Sequence, residues 1–162
     1  MRIRLRSLQA EDRLPIQATL QETQHFTSQE IEVALELVDA VLDQTDPDYQ
    51  FIVAEKPGGH FAGYGCWGET PLTSGTYDLY WIAVSPKYQK QGIGGKILSH
   101  IEAQIMKNRG RLLLIETSST EVYQDTQAFY TRHGYVLESR ISDFYKSGDD
   151  KLIYTKRFRR FG

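Results

Sequence analysis

The chain of 162 residues reads as an α/β (or α+β) fold, a mixed, mostly antiparallel sheet with helices on both faces. Three observations predict it. Several short stretches are rich in β-branched and aromatic residues, which is strand composition. Longer stretches repeat apolar residues at helical spacing. Finally, "TYDLYWIAV", a helix and "RLLLIETS" form a strand–helix–strand crossover, which needs parallel neighbours in the middle of the sheet.

"RIRLRSL" alternates basic and apolar residues and reads as a half-buried strand. Residues 10–23 read as a helix with Leu14, Ala18 and Gln21 on one side, and with Pro15 tolerable in the first turns. The next helix is "QEIEVALELVDAVLDQ". Ser28 is its expected N-cap, Glu30 and Glu32 suit its positive end, and Ile31, Leu35, Val38 and Leu42 recur at helical spacing. Pro47 lies beyond its end. "YQFIVAE" and "HFAGYGCWG" form a hairpin around the turn "KPGG". "TYDLYWIAV" follows the turn "TPLTSG". A helix then runs to about Asn108, with Gly110 as its stop. "RLLLIETS" is nearly continuous apolar, the mark of a strand buried on both faces. "YQDTQAFYTRH" is a short helix closed by Gly134. "YVLESRISDFY" and "KLIYTKRF" are two last strands around "KSGDD".

The length fits one domain over residues 1–162, with no repeat and no linker composition. A net charge of −2 and a pI near 6.1 argue against a nucleic-acid binder, and the basic end "KRFRRFG" reads as the end of a strand. No apolar run is long enough for a membrane span. Cys66 is the only cysteine, which fits a core residue in a reducing compartment, so the expected location is cytoplasmic. His25, His60, His100 and His133 are scattered without metal spacing, and no metal is expected. Charge is uneven along the chain. Residues 1–50 hold ten acidic and four basic residues, and the other 112 hold eleven acidic and fifteen basic. This is either a solvated helix face or an acidic wall for a cationic acceptor.

The stretch "SPKYQKQGIGGKILSHIEAQI" places Gly92, Gly94 and Gly95 where an amphipathic helix begins. Glycine costs about 1 kcal/mol against alanine inside a helix, so three at one entrance suggest a close backbone approach. A helix N-terminus presents N–H groups and partial positive charge, which suit phosphate. The N–H groups of Gln91, Gly92, Ile93, Gly94 and Gly95 can wrap a pyrophosphate. Gln89, Lys90 and Lys96 add donors and charge, and Lys87 reaches further out. The P-loop pattern fails, because Lys90 stands where its first glycine should be and Ile97 follows Lys96. The dinucleotide pattern fails at Ile97 as well. The spacing that fits is Q-x-x-G-x-G over Gln89, Gly92 and Gly94.

Those three residues, after "LYWIAVSP", resemble the acetyl-CoA signature of the GNAT N-acetyltransferases. Phe129, Tyr130, Gly134 and Tyr135 in "QAFYTRHGYV" resemble the family's later segment. The order of elements is also the family's, so the resemblance covers nearly the whole chain. It implies a central parallel pair splayed at its ends. The pantetheine arm of acetyl-CoA would lie along Ile82, Ala83 and Val84, and the pyrophosphate on the loop Gln89–Lys96. The family's asparagine before the short helix has no counterpart in "SSTEVYQDTQ", where Thr117, Ser118 and Tyr123 are the polar replacements.

Acyl transfer from a thioester to an amine needs a neutral amine, a stabilised oxyanion and a protonated leaving thiolate. Through the resemblance, Tyr130 falls on the position of the general acid. The other reading of Tyr130 is one more core aromatic. Glu116 is the first candidate base, a carboxylate at the end of an apolar strand, where burial is costly without a partner or a task. Its position is similar to that of the base in ribosomal-protein acetyltransferases. Its other reading is a strand-end carboxylate that reaches solvent or pairs with a neighbouring Arg. Asp78 is the second candidate base, on one strand face with Tyr80, Ile82 and Val84. Its other reading is a hydrogen-bonded edge-strand Asp. A backbone N–H at or near Ile82 would hold the oxyanion.

The resemblance implies direct transfer of acetyl from acetyl-CoA to a primary amine, on a small molecule or a peptide N-terminus, in a ternary complex. The acceptor pocket would draw on residues 20–45, the loop Trp67–Ser74, and Phe144 and Tyr145. A catalytically inactive CoA-binding sensor or interaction module is the alternative. A homodimer is compatible with either.

Overall fold

The computed structural model describes residues 2–46 and 48–159, so the expectations for Pro47 and for the last three residues of "KRFRRFG" lie outside the described residues. Seven strands form one sheet: β1 (Arg4–Arg6), β2 (Gln50–Lys56), β3 (His60–Glu69), β4 (Thr76–Val84), β5 (Leu112–Ser118), β6 (Val136–Lys146) and β7 (Asp149–Arg157). Their order is β1-β2-β3-β4-β5-β7-β6, and β4–β5 is the parallel pair that the crossover requires. The helices are α1 (Arg13–Glu22), α2 (Ser28–Leu42), α3 (Ile93–Lys107) and α4 (Gln124–Arg132). Contacts group the chain into two compact units, 1–68 with 81–104, and 69–80 with 105–162.

In the first unit, strand alternation sorts the two faces of the β2–β3 hairpin. Val53 stands opposite Tyr64, and Phe51 opposite Cys66. Val53, Tyr64 and Cys66 pack with Ile16 and Leu20 of α1 and with Ile31, Ala34, Leu35 and Val38 of α2. The opposite face carries Gly63 and Gly65. A Cβ at Gly65 would come 2.8 Å from Ile101 and 2.9 Å from Ile97, so small residues let α3 lie close on that side. Helices therefore cover both faces of this unit.

Two local expectations change here. Leu14 is 72% exposed, and α1 buries Ile16, Thr19 and Leu20 instead. A short 3-10 turn at Ala10–Asp12 precedes α1 and sets its rotation about the helix axis. The α2 N-cap is Thr27, not Ser28: the Thr27 hydroxyl accepts the Glu30 N–H, and the Glu30 carboxylate accepts the Thr27 N–H, both at 3.1 Å. That is a capping box, and it outcompetes a single serine one residue later. Arg13 and Asp39 then tie α1 to α2 through two hydrogen bonds of 2.7 and 3.1 Å. The guanidinium holds the Asp39 carboxyl below its ordinary range.

In the second unit, Thr76 to Leu79 of β4 pair in parallel with Leu112 to Ile115 of β5, and β7 pairs antiparallel with both β5 and β6. The expectation that β5 is buried on both faces is corrected. Leu113, Ile115 and Thr117 are buried, Leu112 and Leu114 are half-buried, and Glu116 is exposed. One face is covered and the other is open. Gly110 closes α3 as expected, its N–H donating to the Ile105 carbonyl at 2.7 Å. A Cβ at Gly110 would meet Ile105 at 2.2 Å, which leaves room only for glycine.

Candidate functional site

Gly92 stands at the entrance of α3, where its carbonyl accepts the Lys96 N–H at 3.2 Å. It is therefore the N-cap of a fifteen-residue helix, and the first N–H groups after it have no partner within the helix. Its φ is +80°, a conformation that glycine adopts without strain. Nothing lies within 4 Å of where its Cβ would be. Gln89, Lys90, Gln91 and Lys96 are exposed around it, while Gly94 and Gly95 are partly exposed. Lys90 also has a positive φ, +62°, which turns the chain sharply just before the glycine. The result is an open stretch of backbone flanked by exposed lysines, and N–H groups at a helix start suit an anion such as phosphate.

Other members of the predicted set are placed differently. Ile93 is 1% exposed, so only its backbone can face a ligand. Gln89 turns its amide back onto the strand, donating to the Val84 carbonyl at 3.2 Å. Ala83 is buried, while Ile82 and Val84 are half-buried. Lys56 lies over the Tyr88 ring at 4.4 Å and steadies the turn that leads into the loop.

The second unit holds the three candidate catalytic side chains. Tyr130, on α4, is 4% exposed. Phe129, Tyr135 and Tyr154 surround its ring at centroid distances of 5.4, 5.9 and 6.1 Å. α4 stops just beyond it, where Gly134 takes φ +88° and the Tyr135 N–H donates to the Tyr130 carbonyl at 3.0 Å. Burial pushes the Tyr130 phenol well above the ordinary tyrosine range. It remains protonated at neutral pH, so it can give a proton but cannot serve as a ready base.

Asp78 and Glu116 lie on the opposite, open face of this part of the sheet. Asp78 pairs in register with Leu114, two residues before Glu116 on the same face. Asp78 is half-buried and accepts the Thr70 hydroxyl at 2.7 Å. Glu116 is paired with the Lys151 ammonium at 3.0 Å. The cation on Glu116 is a lysine and not the expected arginine, and Asp78 is hydrogen-bonded on an interior strand and not on an edge strand. Only strand register brings Thr70 and Lys151 to these carboxylates. On the loop before α4, Ser118 bonds Asp149 and Thr120, and the Gln127 amide donates to the Ser118 carbonyl at 2.9 Å. Of the polar replacements for the missing asparagine, Ser118 is thus already engaged in the turn.

Among the described residues, no three His, Cys, Asp or Glu side chains group as metal ligands. Among the described residues, no helix is long and apolar enough to cross a membrane. Burial pushes the Cys66 thiol upward, so it is not a ready nucleophile.

Several known proteins resemble this chain. Residues 47–137 match the acetyltransferase (GNAT) domain family, and the chain belongs to that family. A crystal structure from Desulfovibrio desulfuricans assigned to the same family is 39% identical, with a TM-score of 0.91 over 96% of this chain and 99% of that one. S-(2-succino)cysteine N-acetyltransferase of Bacillus subtilis (strain 168) is 30% identical over 70 residues. That match spans 43% of this chain and only 42% of the relative's length. The PaiA N-acetyltransferase of Thermoplasma acidophilum, solved in complex with coenzyme A, shares the fold at 19% identity, with a TM-score of 0.74 over 98% of this chain and 100% of that one.

Proposed function

We propose that the protein is an acetyl-CoA-dependent N-acetyltransferase that passes acetyl directly to a primary amine while both substrates are bound. The observation that carries this reading is the open helix entrance at Gly92, with its positive φ, the free space beside it and the exposed Lys90 and Lys96. Acetyl-CoA, when bound, supplies an activated acyl group and a thiol leaving group. The backbone from Gln91 to Gly95 holds the pyrophosphate, with Lys90 and Lys96 adding charge. Ile82, Ala83 and Val84 offer main-chain partners to the pantetheine arm, and an N–H near Ile82 takes the developing oxyanion. Tyr130, kept protonated by burial, donates its proton to the leaving thiolate. Glu116 or Asp78 takes the proton that the acceptor ammonium must lose before it can attack. The relative from Bacillus subtilis is named for an acceptor that carries an amine beside carboxylates. That favours a small amino-acid-like acceptor here, ahead of a protein N-terminus.

The test is thermal unfolding with acetyl-CoA, CoA, NAD and ATP in parallel, followed by an amine panel scored by thiol release. A ligand at a hundred times its Kd stabilises by about 2.7 kcal/mol. Stabilisation by the two CoA compounds alone is expected. Gly92→Glu, which puts a side chain and a negative charge into the open space at the helix entrance, should remove it. Stabilisation of wild type by CoA with no turnover of any amine would favour the inactive binding module. Retained CoA binding by Gly92→Glu would defeat the loop assignment.

A further inference from the structure

Lys151 is the least expected charge in the second unit. Its side chain is only 16% exposed, although it stands on the open face of the sheet. Glu116 pairs with Ile153 and Ser118 with Lys151, which puts Glu116, Lys151 and Ile153 on one face with Asp78. The Lys151 ammonium lies 3.0 Å from Glu116 and 4.4 Å from the centre of the Phe144 ring. A lysine held by one carboxylate and one ring still has N–H capacity for a second anion.

The ring is fixed by its own strand. Between Ile141↔Lys151 and Lys146↔Asp149, β6 leaves the ladder and bulges outward. Asp143 takes φ +55° within the bulge. The Asp150 carboxylate accepts the Asp143 N–H at 2.8 Å and the Arg140 guanidinium at 2.6 Å, and Asp143 accepts the Gly148 N–H at 2.7 Å. The bulge presents Phe144 and Tyr145 edge to face, 50% and 47% exposed. The exposed Phe144 ring, with Tyr145 edge-on to it, the Lys151 ammonium and the Glu116 carboxylate thus share one end of an open face, and Asp78 lies further along the same face. This combination suits a zwitterion: carboxylates and rings for an ammonium, lysine for a carboxylate.

We propose that Lys151 selects acceptors that carry a carboxylate beside the reacting amine. The proposal deepens the acetyltransferase reading and rests on it. Without acceptor, Lys151 neutralises Glu116. An acceptor carboxylate takes over the lysine and leaves Glu116 free for the neighbouring ammonium. One N–H bond of that ammonium breaks, and one O–H bond forms on Glu116. The neutral amine keeps the electron pair for attack. An amine without the carboxylate leaves Lys151 on Glu116 and reacts more slowly.

The experiment compares kcat/KM for a set of α-amino acids with that for their α-carboxamides, in wild type and in Lys151→Met, at one pH. Methionine keeps the apolar stem under Phe144 and removes the charge. Because amides have less basic amines, the informative quantity is the acid-to-amide ratio in wild type divided by that in the variant. A fall of about tenfold in that ratio on substitution is expected, the scale of one charge-assisted hydrogen bond. Lys151→Arg should restore part of it. The proposal is overturned if wild type and Lys151→Met give the same ratio, even where both rates fall. An unchanged CoA-induced thermal shift in the variant shows that it has folded. If no amine at all is acetylated, the acetyltransferase reading fails instead. The same acid and amide pairs are then compared as stabilisers of CoA-loaded wild type, where equal stabilisation overturns the Lys151 proposal by itself.

Discussion

Tyr64 and Tyr130 are both tyrosines whose phenols are pushed upward by burial, yet their surroundings differ. Tyr64 sits on β3 in the first unit, 0% exposed, stacked on Phe51 at 6.0 Å and facing Ile16, Leu20 and Val38. Its hydroxyl is the one buried side-chain polar atom without a hydrogen-bond partner among the described residues. Tyr130 sits in the last turns of a nine-residue helix in the second unit, within a cluster of aromatic rings. Desolvation raises both in the same way, so a raised phenol does not by itself identify an acid. What separates them is position. Tyr130 falls on the acid position that the family motif implies, and Tyr64 falls on a strand face filled by α1 and α2.

The comparison can be broken by experiment. The largest expected effect is that of Tyr130→Phe, which should lower turnover by about 10²-fold or more while acetyl-CoA affinity stays within about twofold. Steady-state kinetics beside CoA-induced thermal shifts decide this. Normal turnover would return Tyr130 to the status of a second core aromatic. Tyr64→Phe should act in the opposite sense. It removes an orphaned hydroxyl and keeps the ring, so stability should hold or rise by about 1 kcal/mol, with no loss of turnover. Denaturant unfolding measures that, and a loss of more than about 1 kcal/mol would show that the hydroxyl has a bound partner.

The smallest effect concerns an imidazole. Burial lowers the His100 pKa from its ordinary value of 6.5, because charge is disfavoured whichever sign it has. The unfolded chain binds a proton near that ordinary value, while the folded chain refuses it until lower pH. Stability should therefore be full above about pH 7 and fall as pH drops through about 6.5 toward the depressed folded value. His100 packs edge-on against Trp67 at 6.4 Å. Replacing it with Gln should flatten this part of the Tm–pH curve between about pH 7.5 and pH 5.5. An unchanged slope would show that His100 does not carry the acid sensitivity in this window; carboxylates such as Asp39 and Glu138, which arginines hold below their ordinary range, weaken the fold only at lower pH, below about 4.5.

Much of the site was legible before any coordinates. A glycine cluster at a helix entrance has few physical reasons to exist, and the positive φ of Gly92 supplies one of them. Tyr130 is a candidate only through motif resemblance, because spacing alone cannot tell an acid from a core ring. Asp78 and Glu116 were found as carboxylates on apolar strands. The partners of those carboxylates were not found, since Thr70 and Lys151 lie eight and thirty-five residues away in sequence.

The sequence alone determined the element order, the parallel crossover, the helix stops at Gly110 and Gly134, and the hairpin around Gly58 and Gly59. All of these follow from periodicity and from backbone freedom, which are local properties. Tertiary structure decided the rotation of α1, the capping box at Thr27, the open face of β5 and the pairing of Glu116 with Lys151. Each depends on which neighbour competes for a surface or a hydrogen bond. That competition is settled only when distant strands come into register.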